Sequence, residues 1–234
     1  MNLEKVALAI LFVSSFFIFW LASGGNSSDK IVLIERVLDG DTLQMSGGGK
    51  IRLLGLNTPE SGMFFYEEAK NFTKSLTENQ NLVLESSELD KYGRELGYVF
   101  LRKELVNEVI IENGFAHMYY YGMDKYYDRL ALAEKKAREK QLGIWKHSEN
   151  FGCIKLIEFV YLDLTEEDKE KLSLENSCDE TLFITVKDDA THVYKEKILA
   201  GGIFEKETQN IWNDNGDSIY IWDGDGLVFF YRYS

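Results

Sequence analysis

The 234-residue sequence has one proline, two cysteines and three histidines, and it carries no surplus of basic charge. Each scarcity removes a class of chemistry. His117, His147 and His192 stand at no metal-ligand spacing, so zinc chemistry and histidine-based catalysis find no support. Cys153 and Cys178 both lie in the second half. They can close one loop of moderate length as a disulfide or remain two buried thiols, and sequence does not choose between these. No phosphate loop is present, because Gly49-Lys50 is followed by Ile51 and no glycine stands five positions before Gly49. Asp214-Asn215-Gly216-Asp217 and Asp223-Gly224-Asp225-Gly226 lack the closing glutamate of an EF-hand and read as hairpin turns. No internal repeat is visible.

The net charge of −13 is unevenly placed. Residues 29–147 hold 17 basic and 19 acidic side chains, a difference of −2; residues 148–234 hold 8 and 19, a difference of −11. Attraction to phosphate comes from Lys and Arg. The second half is therefore excluded as a nucleic-acid-binding module on electrostatic grounds. The first half, near neutrality, admits a nucleic-acid partner with weak steering.

An uncharged apolar run, Val6 to Ala22, follows Lys5 and leads into Ser23-Gly24-Gly25-Asn26-Ser27-Ser28. It reads either as a signal peptide, with Ala22-Ser23-Gly24 offering small residues for cleavage, or as a membrane anchor with Trp20 at the interface. Both readings predict an extracytoplasmic protein, secreted or anchored through residues 6–22. The expected organisation is a leader and linker over residues 1–29, one domain over 30–147 and a second over 148–234.

Within residues 30–147 the pattern predicts strands at Lys30–Leu38, Thr42–Met45, Lys50–Leu54, Asn81–Glu85 and Glu95–Leu101. It predicts helices at Tyr66–Glu78, Glu104–Asn113 and Tyr126–Lys140, the second of them stopped by Gly114. Beyond His147, short apolar runs separated by turns predict an all-β sandwich with strands at Ile154–Tyr161, Lys171–Glu175, Leu182–Lys187, Ser218–Trp222 and Leu227–Tyr233.

Three segments carry chemistry: Asp39-Gly40-Asp41-Thr42, Arg52 through Asn57-Thr58-Pro59-Glu60, and Asp90-Lys91-Tyr92-Gly93-Arg94. Taken singly, the first is a tight turn, the second a turn leading into a helix, and the arginines are surface charges. Together they supply carboxylates for a hard divalent cation, two guanidinium groups for a phosphate gaining charge, and a carboxylate to activate water. Pro59 fixes its own backbone and biases Thr58 away from the helical region, which suits a loop presenting a carbonyl to a metal.

In order and spacing these segments resemble the staphylococcal nuclease (thermonuclease) family over Lys30 to Trp145. The resemblance implies an α+β OB-fold barrel with packed helices that hydrolyses phosphodiester bonds of DNA and RNA with Ca2+, leaving 3′-phosphates. It implies Asp41, Asn57, Thr58 (through its carbonyl) and Glu60 as metal ligands, and Arg52, Glu60 and Arg94 as catalytic residues. Lys91, Tyr92 and Tyr120 are implied as substrate-binding residues, with single-stranded nucleic acid the preferred substrate. One departure is visible. The family usually has a carboxylate where this chain has Asn57, and a neutral amide predicts a weaker calcium site. The terminal segment, Ile211 to Gly226, resembles the last hairpins of lamin-tail domains, which are immunoglobulin-like sandwiches; the partner of this second domain is unknown. Two other functions are open: an inactive nucleic-acid- or protein-binding module of the same fold, and a surface scaffold or adhesion protein working through the acidic second half.

Overall fold

The computed structural model describes residues 29–119, 125–162 and 169–233. The apolar run Val6–Ala22 and Tyr120 lie outside the described residues.

The first domain begins with β1 (Lys30–Asp39), β2 (Thr42–Met45) and β3 (Lys50–Leu53), a meander whose hairpin tip is the glycine-rich turn after Met45. β1 buries Val32 and Ile34, then Val37. That break in the period of two falls where its pairing with β2 shifts register between Ile34 and Arg36, a bulge that bends the strand. After the two-residue β4 (Leu56–Asn57) and α1 (Tyr66–Thr77) come β5 (Asn81–Leu89) and β6 (Glu95–Leu101). β5 pairs with β1 and β6 with β5, both antiparallel, and β6 closes on β3 in parallel, Arg52 opposite Leu96. The result is a closed five-stranded barrel of the OB type, filled by Ile34, Leu43, Ile51, Leu53, Leu82, Leu84 and Val99.

β7 (Glu104–Leu105), α2 (Val106–Glu112), β8 (His117–Met118) and α3 (Tyr127–Glu139) complete this half. The helix predicted from Glu104 starts two residues later. Arg102 and Lys103 both take positive φ in a tight turn, and Glu104–Leu105 pairs back on β6 instead. Gly114 ends the α2 region with φ +77°, and a Cβ there would lie 2.2 Å from the Leu142 carbonyl oxygen. The same close approach lets Ile144 N donate to Gly114 O at 2.8 Å.

The second half is all β, as its turn spacing predicts. β9 (Ile154–Val160), β10 (Glu170–Asn176) and β13 (Ile203–Thr208) form one antiparallel sheet, in the order β13-β10-β9. β11 (Leu182–Lys187), β12 (Val193–Ile198), β14 (Asp217–Trp222) and β15 (Leu227–Tyr233) form the other, in the order β12-β11-β14-β15. Leu172, Leu174, Ile184, Val186, Ile219, Ile221 and Val228 fill the space between them. β12 and β13 are absent from the sequence-based prediction. Both are edge strands with a run of charges, Lys195-Glu196-Lys197 in one and Glu205-Lys206-Glu207 in the other, so neither shows a continuous apolar run. Cys153 and Cys178 are joined as a disulfide, Cα to Cα 5.2 Å, which resolves the alternative left by the sequence.

A third apolar cluster belongs to both halves. Met63, Ala137, Ile144 and Trp145 from the first pack with Tyr220, Trp222 and Leu227 from the second. Trp222 Nε1 donates to Ile144 O at 2.8 Å, and Leu227 N donates to Lys146 O at 2.7 Å. Arg232 on β15 forms an ion pair with the buried Glu134 of α3.

Candidate active site

The β1–β2 turn and the β2–β3 hairpin assemble the centre of the site. Asp41 ends the turn, and antiparallel pairing sets its neighbour Thr42 opposite Arg52. The turn is held from two sides: Thr73 Oγ1 on α1 donates to Gly40 O at 2.7 Å, and Tyr66 Oη donates to Asp39 Oδ1 at 3.0 Å. Gly40 is required by proximity, since a Cβ there would lie 2.7 Å from Thr58 Oγ1. The absence of a side chain lets Thr58 pack over the turn and donate both its N–H and its hydroxyl to Asp41 Oδ2, each at 3.2 Å. Thr42 Oγ1 donates to Asp41 Oδ1 at 3.0 Å. Asp41 is thus a buried carboxylate fixed by three donors, with Arg52 Nη2 3.3 Å from its Oδ2.

Arg52 is held as firmly. Its Nη1 donates to Leu53 O at 2.6 Å and to Leu56 O at 2.9 Å, and its Nη2 donates to Asn57 Oδ1. Glu60 follows Pro59 in a turn closed by Met63 N donating to Glu60 O at 2.9 Å. Its side chain is exposed on the rim, so its loss of hydration is partial. That loss, followed by the charges of Asp41 and Asp39, raises its carboxyl above the ordinary glutamate range, against the opposing pull of Lys187 and Arg52.

The Asp90–Arg94 turn forms a separate constellation. Asp90 Oδ1 accepts from Tyr92 N and Arg94 N, both at 2.9 Å, and Asp90 Oδ2 accepts from Arg94 Nε at 2.7 Å. Against the loss of hydration that would raise it, these donors hold the Asp90 carboxyl below the ordinary aspartate range. Tyr92 is 71% exposed, with Lys91 Nζ 5.1 Å and the Arg94 guanidinium 5.4 Å from its ring centre. The parallel pairing of Arg52 with Leu96 brings this turn alongside the strand that carries Arg52. Its guanidinium, however, is paired with Asp90 and not with the Asp41 cluster.

The predicted residues therefore fall into two groups: Asp41, Arg52, Asn57, Thr58 and Glu60 in one, Lys91, Tyr92 and Arg94 in the other. Among the described residues no three Asp, Glu, His or Cys side chains converge as a ready-made metal site. The charge of Asp41 nevertheless helps raise the Glu60 carboxyl, and the atoms that Asp41, Glu60 and the Thr58 carbonyl offer a metal are all hard oxygens. Two neighbouring carboxylates and a carbonyl oxygen are a donor set that a calcium-sized divalent cation takes, so the residues fit one.

Sequence reasoning missed a set of residues that reaches this site from the second domain. Asn57 Nδ2 donates to Asp189 O at 2.6 Å and to Ala190 O at 3.2 Å. Lys195 Nζ donates to Gly62 O at 3.1 Å, within the segment that follows Glu60. The buried Lys187 amine donates to Asp188 O at 3.0 Å and to Ala190 O, and lies 3.5 Å from His117 Nε2. Burial first, and then Lys187, push the His117 imidazole well below its ordinary range, so it is neutral beside Asp189. The only sign of this contact in the sequence is Asn57 itself, an amide where the resemblance implies a carboxylate.

Comparison with known proteins agrees with this geometry. The family described as "Staphylococcal nuclease homologue" matches residues 50–147. Thermonuclease of Staphylococcus hyicus is 34% identical over 154 residues, spanning 61% of this chain and 91% of that protein. Thermonuclease of Staphylococcus intermedius is 38% identical over 126 residues, covering 49% of this chain and 75% of that protein. Endonuclease YncB of Bacillus subtilis is 33% identical over 144 residues, covering 53% and 68% respectively. With the barrel, the Asp41–Arg52–Glu60 arrangement and relatives matched over most of their length, the chain belongs to the staphylococcal nuclease family.

Proposed function

We propose that this protein is an exported, calcium-dependent nuclease that hydrolyses phosphodiester bonds of single-stranded DNA and RNA and leaves 3′-phosphates. One observation carries the reading: Asp41, Arg52, Thr58 and Glu60 meet at one end of the barrel, the carboxylate of Asp41 bonded to both Thr58 and Arg52. The relatives named as thermonucleases and as an endonuclease support the same activity.

In this reading Asp41, Glu60 and the Thr58 carbonyl hold the metal. Bound calcium supplies positive charge beside the phosphate oxygens. Glu60 accepts a proton from the attacking water, a task suited to a carboxyl whose affinity for protons is raised. Arg52 donates to phosphate oxygens as they gain negative charge, and Arg94 does so by exchanging its bond to Asp90 for one to substrate. Tyr92 and Lys91 form an exposed platform on which an unpaired base can stack. Export is supported by the uncharged run Val6–Ala22 and by the Cys153–Cys178 disulfide, a bond that persists in oxidising compartments. The terminal hairpin of the sandwich carries the lamin-tail likeness.

A binding-only role has one observation in its favour: the two terminal nitrogens of Arg52 already meet four protein acceptors. The deciding assay is cleavage of single-stranded DNA and RNA by the full chain across a calcium series, with a chelator control and beside Glu60→Gln. Calcium-dependent cutting that falls roughly 10²- to 10⁴-fold in Glu60→Gln is expected. The parent rate also falls with acid as Glu60 takes up its proton. No cutting by the parent at millimolar calcium selects the binding-only role.

A further inference from the structure

We propose that the second domain is part of the nuclease site, and that Asn57 is a positioning residue that couples it to Arg52 rather than a metal ligand. This inference rests on the nuclease reading of Arg52.

Both ends of the Asn57 amide are engaged, and their partners fix which end is which. A guanidinium only donates, so the group facing Arg52 Nη2 is the oxygen; backbone carbonyls only accept, so the group facing Asp189 O and Ala190 O is the nitrogen. An aspartate of the same shape would satisfy Arg52. On the other side it would press an oxygen against two carbonyl oxygens with no proton between them. An amide is the side chain of this size that satisfies both neighbours. A divalent cation at Oδ1 would also sit beside the guanidinium that already occupies it.

The carbonyls that receive Asn57 are held from behind. Asp189 N donates to Asp217 Oδ1 at 2.8 Å, and Tyr220 Oη donates to Asp189 Oδ1 at 2.6 Å. His192 donates its N–H to Asp188 Oδ1 at 3.0 Å, and its Nδ1 lies 2.6 Å from Asp188 Oδ2. Lys187 Nζ bonds Ala190 O from within the sandwich. The turn between β11 and β12 is therefore a fixed wall. Asn57 transmits its position to Nη2 of Arg52, while Leu53 O and Leu56 O set Nη1. With both nitrogens set, the plane of the guanidinium is set, and phosphate meets a group already oriented.

The test uses the full chain with Asn57→Asp and Asn57→Ala, each alone and combined with Arg52→Lys, on single-stranded DNA. Either substitution at Asn57 is expected to lower kcat on the order of ten-fold or more, with KM little changed. Half-saturating calcium does not fall in Asn57→Asp. In the Arg52→Lys background, Asn57→Ala costs little further, because the group it positions is already gone. Without calcium, amide hydrogen exchange across residues 188–192 quickens in Asn57→Asp. A lower calcium requirement with unchanged kcat makes Asn57 a ligand site and overturns the proposal. Additive losses in the double variant overturn it too, by reducing Asn57 to structural support. Should Asn57→Ala not fold, the isosteric Asn57→Asp carries the kcat, calcium and exchange readings. A parent that does not cut fails the nuclease reading itself, and unchanged exchange in Asn57→Asp then separately rejects the docking.

Discussion

The barrel supplies the candidate site's reactive groups as side chains, and the sandwich braces Asn57 beside them with backbone. Asp41, Arg52, Thr58 and Glu60 contribute carboxylate, guanidinium and hydroxyl groups from three consecutive stretches joined by local hairpins. The sandwich contributes the carbonyls of Asp189 and Ala190, fixed by bonds from elements that follow much later in the chain. The difference separates two kinds of dependence. The first half needs particular residues at particular positions. The second half needs its whole fold, because a carbonyl is placed only by everything that packs around it.

That contrast is broken most directly by removing residues 148–234. The deletion uncovers Trp145 and Ile144, both fully buried, and large apolar side chains each contribute about 1.5–3 kcal/mol by burial. We expect the shortened chain to melt at much lower temperature and to lose most of its cutting, as read by circular dichroism and by nuclease assay. A barrel that melts and cuts like the parent makes the sandwich a separable appendage.

A smaller effect comes from Asp189, whose carboxyl burial pushes up to about 7, with Asp217 and Glu134 adding to the shift and Arg232 and Tyr220 opposing it. Arg232, 3.7 Å from Asp189 and paired with Glu134, is the strongest opposing influence but does not cancel the cost of burial. A raised carboxyl binds its proton more tightly in the folded state. From about pH 4 to about pH 7 the folded chain holds more protons than the unfolded one, so stability falls as pH rises through that window and then levels. Thermal midpoints across the window should show this decline, and Asp189→Asn should flatten it. A decline unchanged in Asp189→Asn assigns it to other groups.

The smallest effect belongs to the barrel alone. Tyr92→Ala removes a ring that is mostly exposed and whose cation contacts are with Lys91 and Arg94 of its own turn, so the melting temperature stays put. Loss of one stacked base, worth about 1–3 kcal/mol, raises KM and leaves kcat nearly unchanged. A fall in kcat instead means that Tyr92 orients Arg94, whose guanidinium lies over its ring.

The same contrast explains what could be read from the sequence. The barrel strands, α1 and α3 were legible because each follows from period and turn chemistry, and the grouping of Asp41 with Arg52, Thr58 and Glu60 because the family resemblance implies it. The start of α2 was not, because Arg102 and Lys103 adopt positive φ without the glycine that usually announces it. β12 and β13 were hidden because edge strands tolerate consecutive charges, which erase the apolar signal. The Asp90–Arg94 segment was legible as a motif, though not the ion pair that joins its two ends. The docking of residues 189–190 on Asn57 was out of reach, since no residue type marks a carbonyl that will be used 132 positions away.

The shared cluster around Trp145 also bears on how the molecule is made. Synthesis runs from the N terminus, and domains fold largely in that order. The barrel therefore leaves the ribosome with Glu134 lacking its ion-pair partner and the Trp145 face bare until β14 and β15 follow and Arg232 arrives. Asn57 meets the Asp189 and Ala190 carbonyls only after that docking, so the contact proposed to fix the plane of Arg52 is among the last the chain makes in its biogenesis.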